Sequence, residues 1–311
     1  LIDDVFVDLR SKFALPVYLK CEAFNFAGSV KLKAAVTMVR GAESEGLLRP
    51  GSVIVESSSG NLGVALSVVA ASRGYEFICV TDPRSSQHNR GLMAALGARV
   101  IVVDEPDGQR GFLASRIRYV QDLCRSDGRF VWLNQYANPD NWRAHYRLTA
   151  PAILAQFPDL DYLFVGTGTT GTLMGCARYL RDRGHPARVI AVDAAGSVTF
   201  GGPARSRYIP GLGTSRRPEL VDESLVDDIV MVEEHDTVVM CRRLARRGFL
   251  FGGSTGTVLA GVERLLPSLK PDPVIVAISP DLGDRYLDTL YDDLWVAEHF
   301  GLVATLAGDR A

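Results

Sequence analysis

Lysine is scarce in this 311-residue chain: only Lys12, Lys20, Lys31, Lys33 and Lys270 occur among 34 basic residues, the other 29 being arginine. Codon bias in a GC-rich genome would account for the ratio, yet any chemistry that needs an amine nucleophile has only five candidates. Net charge is also nearly absent, at −2 near neutral pH, so no basic excess exists to neutralise the phosphates of a nucleic acid. Intrinsic disorder is out of place in a chain that is 47% hydrophobic. Long apolar runs are missing: residues 64–71, interrupted by Ser67, are too short to span a bilayer, so no membrane partner is expected. The acidic opening Leu1-Ile2-Asp3-Asp4 is unlike a signal peptide, and the start at leucine reads as missing terminal residues. The cysteines, five in number, are scattered without a CxxC pair or a Cys/His cluster. Reduced, buried thiols in a cytoplasmic protein without a metal site are expected.

What is present is a rhythm. Short β-branched runs at 52–56, 77–81, 100–103, 130–133, 162–165, 189–192 and 274–279 alternate with helical stretches at 61–73, 87–96, 111–124, 141–156, 171–183 and 255–266. Apolar strands separated by helices predict an α/β fold with parallel sheet covered on both faces. Residues 196–218, rich in glycine and proline and carrying four arginines, predict a long surface loop, and loops of that length are often functional.

Open α/β sheets bind ligands beyond the carboxyl ends of their strands, where three glycine-rich turns lie. The turn from Glu56 to Gly63, with Ser57, Ser58, Ser59, Gly60 and Asn61, presents hydroxyls and helix-start N–H groups suited to a carboxylate or phosphate. Ordinary helix capping explains the same residue types. Gly166-Thr167-Gly168-Thr169-Thr170-Gly171-Thr172 fits the dinucleotide pattern, with Asp193 placed for a ribose hydroxyl. Its threonines suit a terminal phosphate better, so phosphate binding is the reading kept. Gly252-Gly253-Ser254-Thr255-Gly256-Thr257, after a strand-like 249–251, is the third.

The segment Asn25-Phe26-Ala27-Gly28-Ser29-Val30-Lys31, these three turns and Pro280-Asp281-Leu282-Gly283-Asp284-Arg285-Tyr286 follow one another in an order that resembles the cysteine synthase and cystathionine β-synthase family, pyridoxal-phosphate enzymes of fold type II. The resemblance runs from about Val17 to Tyr286 and implies the tryptophan synthase β-like architecture, with pyridoxal 5'-phosphate between two three-layer domains of parallel or mixed sheet. The larger domain would comprise 1–33 and 136–311; the smaller, movable one would comprise 34–135 and bind the substrate carboxylate. Lys31 is implied as the Schiff-base lysine and catalytic base, with Lys33 a decoy facing elsewhere on the helix. Asn61 would sit beside the cofactor's ring hydroxyl. Gly168, Thr169, Thr170, Gly171 and Thr172 would hold its phosphate, and Ser254 its pyridine nitrogen. Ser58, Ser59, Gly60 and Gln135 would hold the substrate carboxylate. The implied chemistry is β-replacement on an amino-acid substrate through an aminoacrylate, in a homodimer.

Departures from the family pattern narrow the substrate. Phe26 stands for a proline, Leu32-Lys33 for Asp-Arg, Leu62 for a threonine and Thr170 for a glycine, and the segment 206–216 carries extra cations. These features resemble the branch that couples O-phospho-L-serine to L-glutamate, making N-(2-amino-2-carboxyethyl)-L-glutamate for 2,3-diaminopropionate in siderophore or peptide-antibiotic biosynthesis. A phosphorylated donor and a dicarboxylate acceptor both call for guanidinium. Arg207 and Arg216 are the candidates, against the alternative of a solvated loop, and Tyr136 is a candidate wall of the acceptor pocket. The principal alternative is a cysteine synthase using O-acetylserine or O-phosphoserine with sulfide. A nicotinamide dehydrogenase and an inactive binding homologue are the remaining readings.

Overall fold

The computed structural model describes residues 4–13, 15–107 and 111–301. Among these described residues ten strands run β1 Val5–Asp8, β2 Val17–Cys21, β3 Val53–Ser57, β4 Glu76–Thr81, β5 Arg99–Val102, β6 Phe130–Trp132, β7 Tyr162–Gly166, β8 Arg188–Ala194, β9 Asp228–Val232 and β10 Ile275–Ser279. Eleven α-helices accompany them: α1 Arg10–Phe13, α2 Lys31–Ser44, α3 Asn61–Arg73, α4 Gln87–Ala95, α5 Leu113–Ser126, α6 Pro139–Arg147, α7 Thr149–Gln156, α8 Gly171–Asp182, α9 Glu234–Ala245, α10 Gly253–Leu265 and α11 Asp293–Phe300.

The strands form two sheets. One has the order β1-β2-β10-β7-β8-β9 and is parallel apart from the β1–β2 pair; the other, β5-β4-β3-β6, is parallel throughout. Parallel pairs need crossover helices, which explains why the apolar strand runs alternate with helical stretches. In the four-stranded sheet Ile54, Phe77 and Cys79 pack with Met38, Leu62, Leu66 and Met93 of the covering helices, while Val55, Ile78 and Val80 pack with Val120 on the opposite face. In the six-stranded sheet, Phe164, Ile190 and Val192 pack toward Val258 and Val262 of α10, and Leu163, Val165 and Val189 toward Leu173 and Ala177 of α8. Both sheets are therefore covered on two faces, which is why their strands are apolar without alternation.

Three details differ from the sequence-based expectation. The single helix expected over 141–156 is two, α6 and α7, meeting at Leu148, because Pro151 has no N–H for residue 147 and its ring crowds that carbonyl. The strand-like 249–251 contributes one isolated bridge, Phe251 to Leu282. The loop 196–218 is only partly a surface feature: Ser197, Thr199, Ile209, Leu212 and Thr214 are buried in it, with Ser197, Thr199 and Thr214 joined by hydroxyl hydrogen bonds. Among the described residues no helix is long and apolar enough to cross a membrane, and no His, Cys, Asp and Glu group could hold a metal ion. All five cysteines are free; Cys124 is half-buried and the other four are buried.

Candidate active site

Four helices begin at one cavity. Lys31 opens α2, Asn61 opens α3, Gly171 opens α8, and Ser254 lies in the first turn of α10, and all four residues line the same space. Val165 and Gly166 from β7, Ile278 from β10, and Gly211 and Leu212 from the loop after β8 complete the walls. The bounded space, solvent side included, is about 500 Å³. Helix starts leave N–H groups without intrahelical partners and carry positive dipole ends, so the cavity is disposed toward an anion.

A lysine is an unexpected residue to place there. Desolvation lowers the Lys31 amine to about 8, and the adjoining helix starts act in the same direction. No carboxylate pairs with Lys31 among the described residues. The site thus holds an amine that is neutral for a useful fraction of the time near physiological pH, which is what a nucleophile or base requires. Lys33 faces away, buried and paired with Glu22 at 2.8 Å.

The second glycine-rich turn supplies the cavity floor. Thr170 caps α8 with φ 65°, a left-handed conformation that a β-branched residue rarely adopts. This is the position where the resembled family has glycine, so the chain carries strain to keep a side chain there. The Thr170 hydroxyl is buried without a partner. Thr169 accepts from Asn141 at 3.0 Å, and Thr172 bonds His145 at 3.3 Å. Asp193, which the dinucleotide pattern would aim at a ribose, is fully buried and bonded to the Ala194 N–H at 2.8 Å. Burial raises it to about 6, and it does not face the cavity.

Asn61, which lines the same cavity, is held at both ends: its amide donates to Asp281 at 2.8 Å and its oxygen accepts from Arg285. Tyr286 donates to the same Asp281 oxygen at 2.6 Å, and Arg285 also reaches the Ala27 carbonyl in the segment leading to Lys31. The motif 280–286 is thereby tied to both Lys31 and Asn61, a role that its sequence alone does not reveal. Gly211, at φ 114°, comes so close to Ser254 that an added Cβ would lie 2.4 Å from the Ser254 hydroxyl.

Ser58, Ser59, Gly60, Gln135 and Tyr136 lie outside the walls of this cavity. The Ser58 hydroxyl accepts from the Gly63 N–H at 3.0 Å, and Gln135 donates to the Ser57 carbonyl at 3.1 Å. Glu56 joins the two turns by accepting from the N–H groups of Ser57 at 2.9 Å and Gln135 at 3.3 Å, and from the Trp132 indole at 2.9 Å. Burial raises Glu56 to about 7 against those three donors. Burial also raises Tyr136, opposed by the positive charges of Arg116, Arg216 and Arg207. Arg207 is half-buried, donates to the Gly196 and Arg205 carbonyls, and is lowered by desolvation. Arg216 is exposed and pairs with Glu219. Arg116 escaped the sequence reading. It is 7% exposed and 3.3 Å from Asp82, with Nε and Nη1 lacking hydrogen-bond partners. Lying inside the amphipathic pattern of α5, it looks like a solvated helix position.

The fold and this amine-bearing cavity define a cofactor-dependent α/β enzyme. Residues 7–281 match the family described as pyridoxal-phosphate dependent enzyme, and the chain belongs to that family. It is 42% identical to an N-(2-amino-2-carboxyethyl)-L-glutamate synthase of Cupriavidus metallidurans, over 94% of this chain and 88% of that protein. A synthase of the same name from Ralstonia nicotianae is 40% identical, over 94% of this chain and 86% of that protein. A hydrogen sulfide-producing enzyme of Fusobacterium nucleatum has a similar fold, with a TM-score of 0.85 and 30% identity over 92% of this chain and 97% of that one.

The cavity's chemistry fits pyridoxal phosphate on its own terms. It offers an unpaired amine of lowered basicity, an unpartnered Thr170 hydroxyl, helix-end N–H groups for a phosphate and a neutral Ser254 hydroxyl for a ring nitrogen.

Proposed function

We propose that this enzyme couples O-phospho-L-serine to L-glutamate, giving N-(2-amino-2-carboxyethyl)-L-glutamate and phosphate. What supports this reading is the likeness to two N-(2-amino-2-carboxyethyl)-L-glutamate synthases, together with the positive charges of Arg116, Arg207 and Arg216 felt at Tyr136, next to Gln135. Both substrates bring more negative charge than the carboxylate turn alone can hold, and guanidinium grips phosphate and carboxylate oxygens bidentately. Sulfide needs no such clamp.

Pyridoxal phosphate, when bound, would supply the electron sink that acidifies the substrate's α-hydrogen and lets its β-substituent depart. Lys31 would anchor it, residues 168–172 would hold its phosphate, and Asn61 and Ser254 would serve its ring hydroxyl and ring nitrogen. Ser58, Ser59, Gly60 and Gln135 orient the substrate carboxylate. The Lys31 amine takes the α-proton, for which a basicity near 8 is well matched to neutral pH. The β-carbon–oxygen bond then breaks, with its electron pair leaving on phosphate. The glutamate nitrogen gives its pair to the β-carbon and loses a proton, and Lys31 returns its proton to the α-carbon. Arg116, Arg207 and Arg216 stabilise the leaving phosphate and the acceptor's carboxylates, and Tyr136 lines the acceptor side. Residues 34–135 form a smaller domain that closes over the substrate, expelling water that would otherwise intercept the reaction. The enzyme is read as a cytoplasmic homodimer that supplies 2,3-diaminopropionate for a siderophore or peptide antibiotic.

Cysteine synthesis with sulfide is the second reading, supported by the fold likeness to a hydrogen sulfide-producing enzyme. The test is product analysis by mass spectrometry, with O-phospho-L-serine offered glutamate or sulfide separately. The proposal expects the glutamate adduct and stoichiometric phosphate release; efficient cysteine formation with no glutamate adduct would overturn it.

A further inference from the structure

Lys33 stands at a position where the resembled family commonly has arginine, and the structure gives it connections that reach the phosphate loop. Its ammonium, 2% exposed, bonds Glu22 at 2.8 Å and donates to the Thr149 hydroxyl at 3.3 Å. Thr149 bonds His145 Nδ1 at 3.0 Å, and His145 Nε2 lies 3.3 Å from the Thr172 hydroxyl. Thr149 and His145 are fully buried, whereas Thr172 lines the cavity.

The chemistry of the first donor fixes the direction of the rest. An ammonium has hydrogens to give and no lone pair, so Thr149 must accept from Lys33. The Thr149 hydrogen then has His145 Nδ1 as its acceptor. Desolvation, reinforced by the charges of Lys33 and Lys31, holds His145 well below its usual range and therefore neutral. A neutral imidazole has one donor and one acceptor; with Nδ1 accepting, Nε2 carries the hydrogen and donates it to Thr172. The opposite tautomer would leave the Thr149 hydrogen without an acceptor in the interior, which is unfavourable. Because Thr172 receives a hydrogen from behind, its own hydrogen is free to point into the cavity.

We infer that Lys33 is a positioning residue: acting through Thr149 and His145, it orients the Thr172 hydroxyl as a donor to the cofactor's phosphate. This rests on the reading that residues 168–172 hold that phosphate. It also gives a reason for a second lysine two residues after Lys31, since any donor-only cation at 33 would set the same direction.

The test uses the holoenzyme and two readouts, the dissociation constant of pyridoxal phosphate and the ³¹P chemical shift of its bound phosphate. Thr149→Val removes the hydroxyl at constant shape, Thr172→Val removes the donor, and the double variant measures their coupling. Each single variant is expected to weaken binding about tenfold and to move the ³¹P signal, as loss of one charge-assisted hydrogen bond would. The double variant is expected to bind no more weakly than Thr172→Val alone. Lys33→Met should reproduce the effect and Lys33→Arg should restore it, with circular dichroism confirming that each variant is folded. Additive losses in the double variant, or an unmoved ³¹P signal in Thr149→Val, would overturn the relay while leaving the phosphate-loop reading intact. An unchanged affinity in Thr172→Val would instead overturn the phosphate-loop reading and the relay with it.

Discussion

Lys31 and Lys33 lie two residues apart on one helix and meet opposite surroundings. Lys33 is enclosed by groups that want its charge: Glu22 at 2.8 Å, a carboxylate that also faces Lys20 at 3.4 Å. Lys20 in turn meets Asp4 at 2.8 Å. Among the described residues no carboxylate pairs with Lys31, and desolvation pushes it toward the neutral amine. A buried lysine with a counter-ion is part of the framework; one without is costly to the fold and available for chemistry. Both arise from a chain with only five lysines.

The largest expected effect breaks this contrast outright. Lys31→Ala should remove the visible absorbance of the purified enzyme and lower product formation by on the order of 10³-fold or more, the loss of both anchor and base. The cofactor-free protein should remain folded, because no ion pair is lost. Glu22→Ala should do the reverse, leaving the buried Lys33 ammonium without its carboxylate and Lys20 with Asp4 alone, and destabilising the fold by roughly 3–5 kcal/mol. Denaturant unfolding of both variants, without cofactor, checks the pair.

A smaller effect is read in pH. The Lys31 amine titrates near 8 in the folded chain and 10.5 otherwise. The native state binds fewer protons in that window, so its contribution to stability rises as pH goes from about 8 to 10.5 and is flat below about 8. Cofactor loading needs the neutral amine, so the reconstitution rate should climb with pH and level off above about 8. Stopped-flow absorbance should show this plateau in the wild type; a flat profile from pH 6 to 9 would contradict the assignment.

The smallest effect concerns strain. Thr170→Gly relieves a left-handed β-branched residue, worth about 1–3 kcal/mol, but removes the unpartnered hydroxyl. The cofactor-free unfolding midpoint should rise or hold, while cofactor affinity falls several-fold. Thermal unfolding and titration of the same variant separate the two.

The parallel α/β strands and the three turns were legible in the sequence because apolar β-branched runs ending in Gly, Ser and Thr have few other uses in an α/β chain, whereas the division into two sheets followed only from the family resemblance. Strand β2 was hidden by its own chemistry: Lys20, fully buried within Val17–Cys21, interrupts the apolar pattern, and the distant Asp4, the neighbouring Glu22 and the Phe6 ring make it tolerable. The edge strands β1 and β9 escaped because each is short and bordered by aspartate. At the site, Lys31 stood out through its motif, whereas Arg116 and the His145–Thr149 connection did not. Their importance comes from contacts across elements far apart in the chain, and no local pattern encodes those. Pro151 was a signal that could have divided α6 from α7.

The most direct measurement is borohydride reduction of the yellow holoenzyme followed by peptide mapping. The account predicts that the pyridoxyl group is found on Lys31 in stoichiometric yield, with Lys33 and Lys20 unmodified. A pyridoxyl group on Lys33 or Lys20, or none on any lysine, would contradict it.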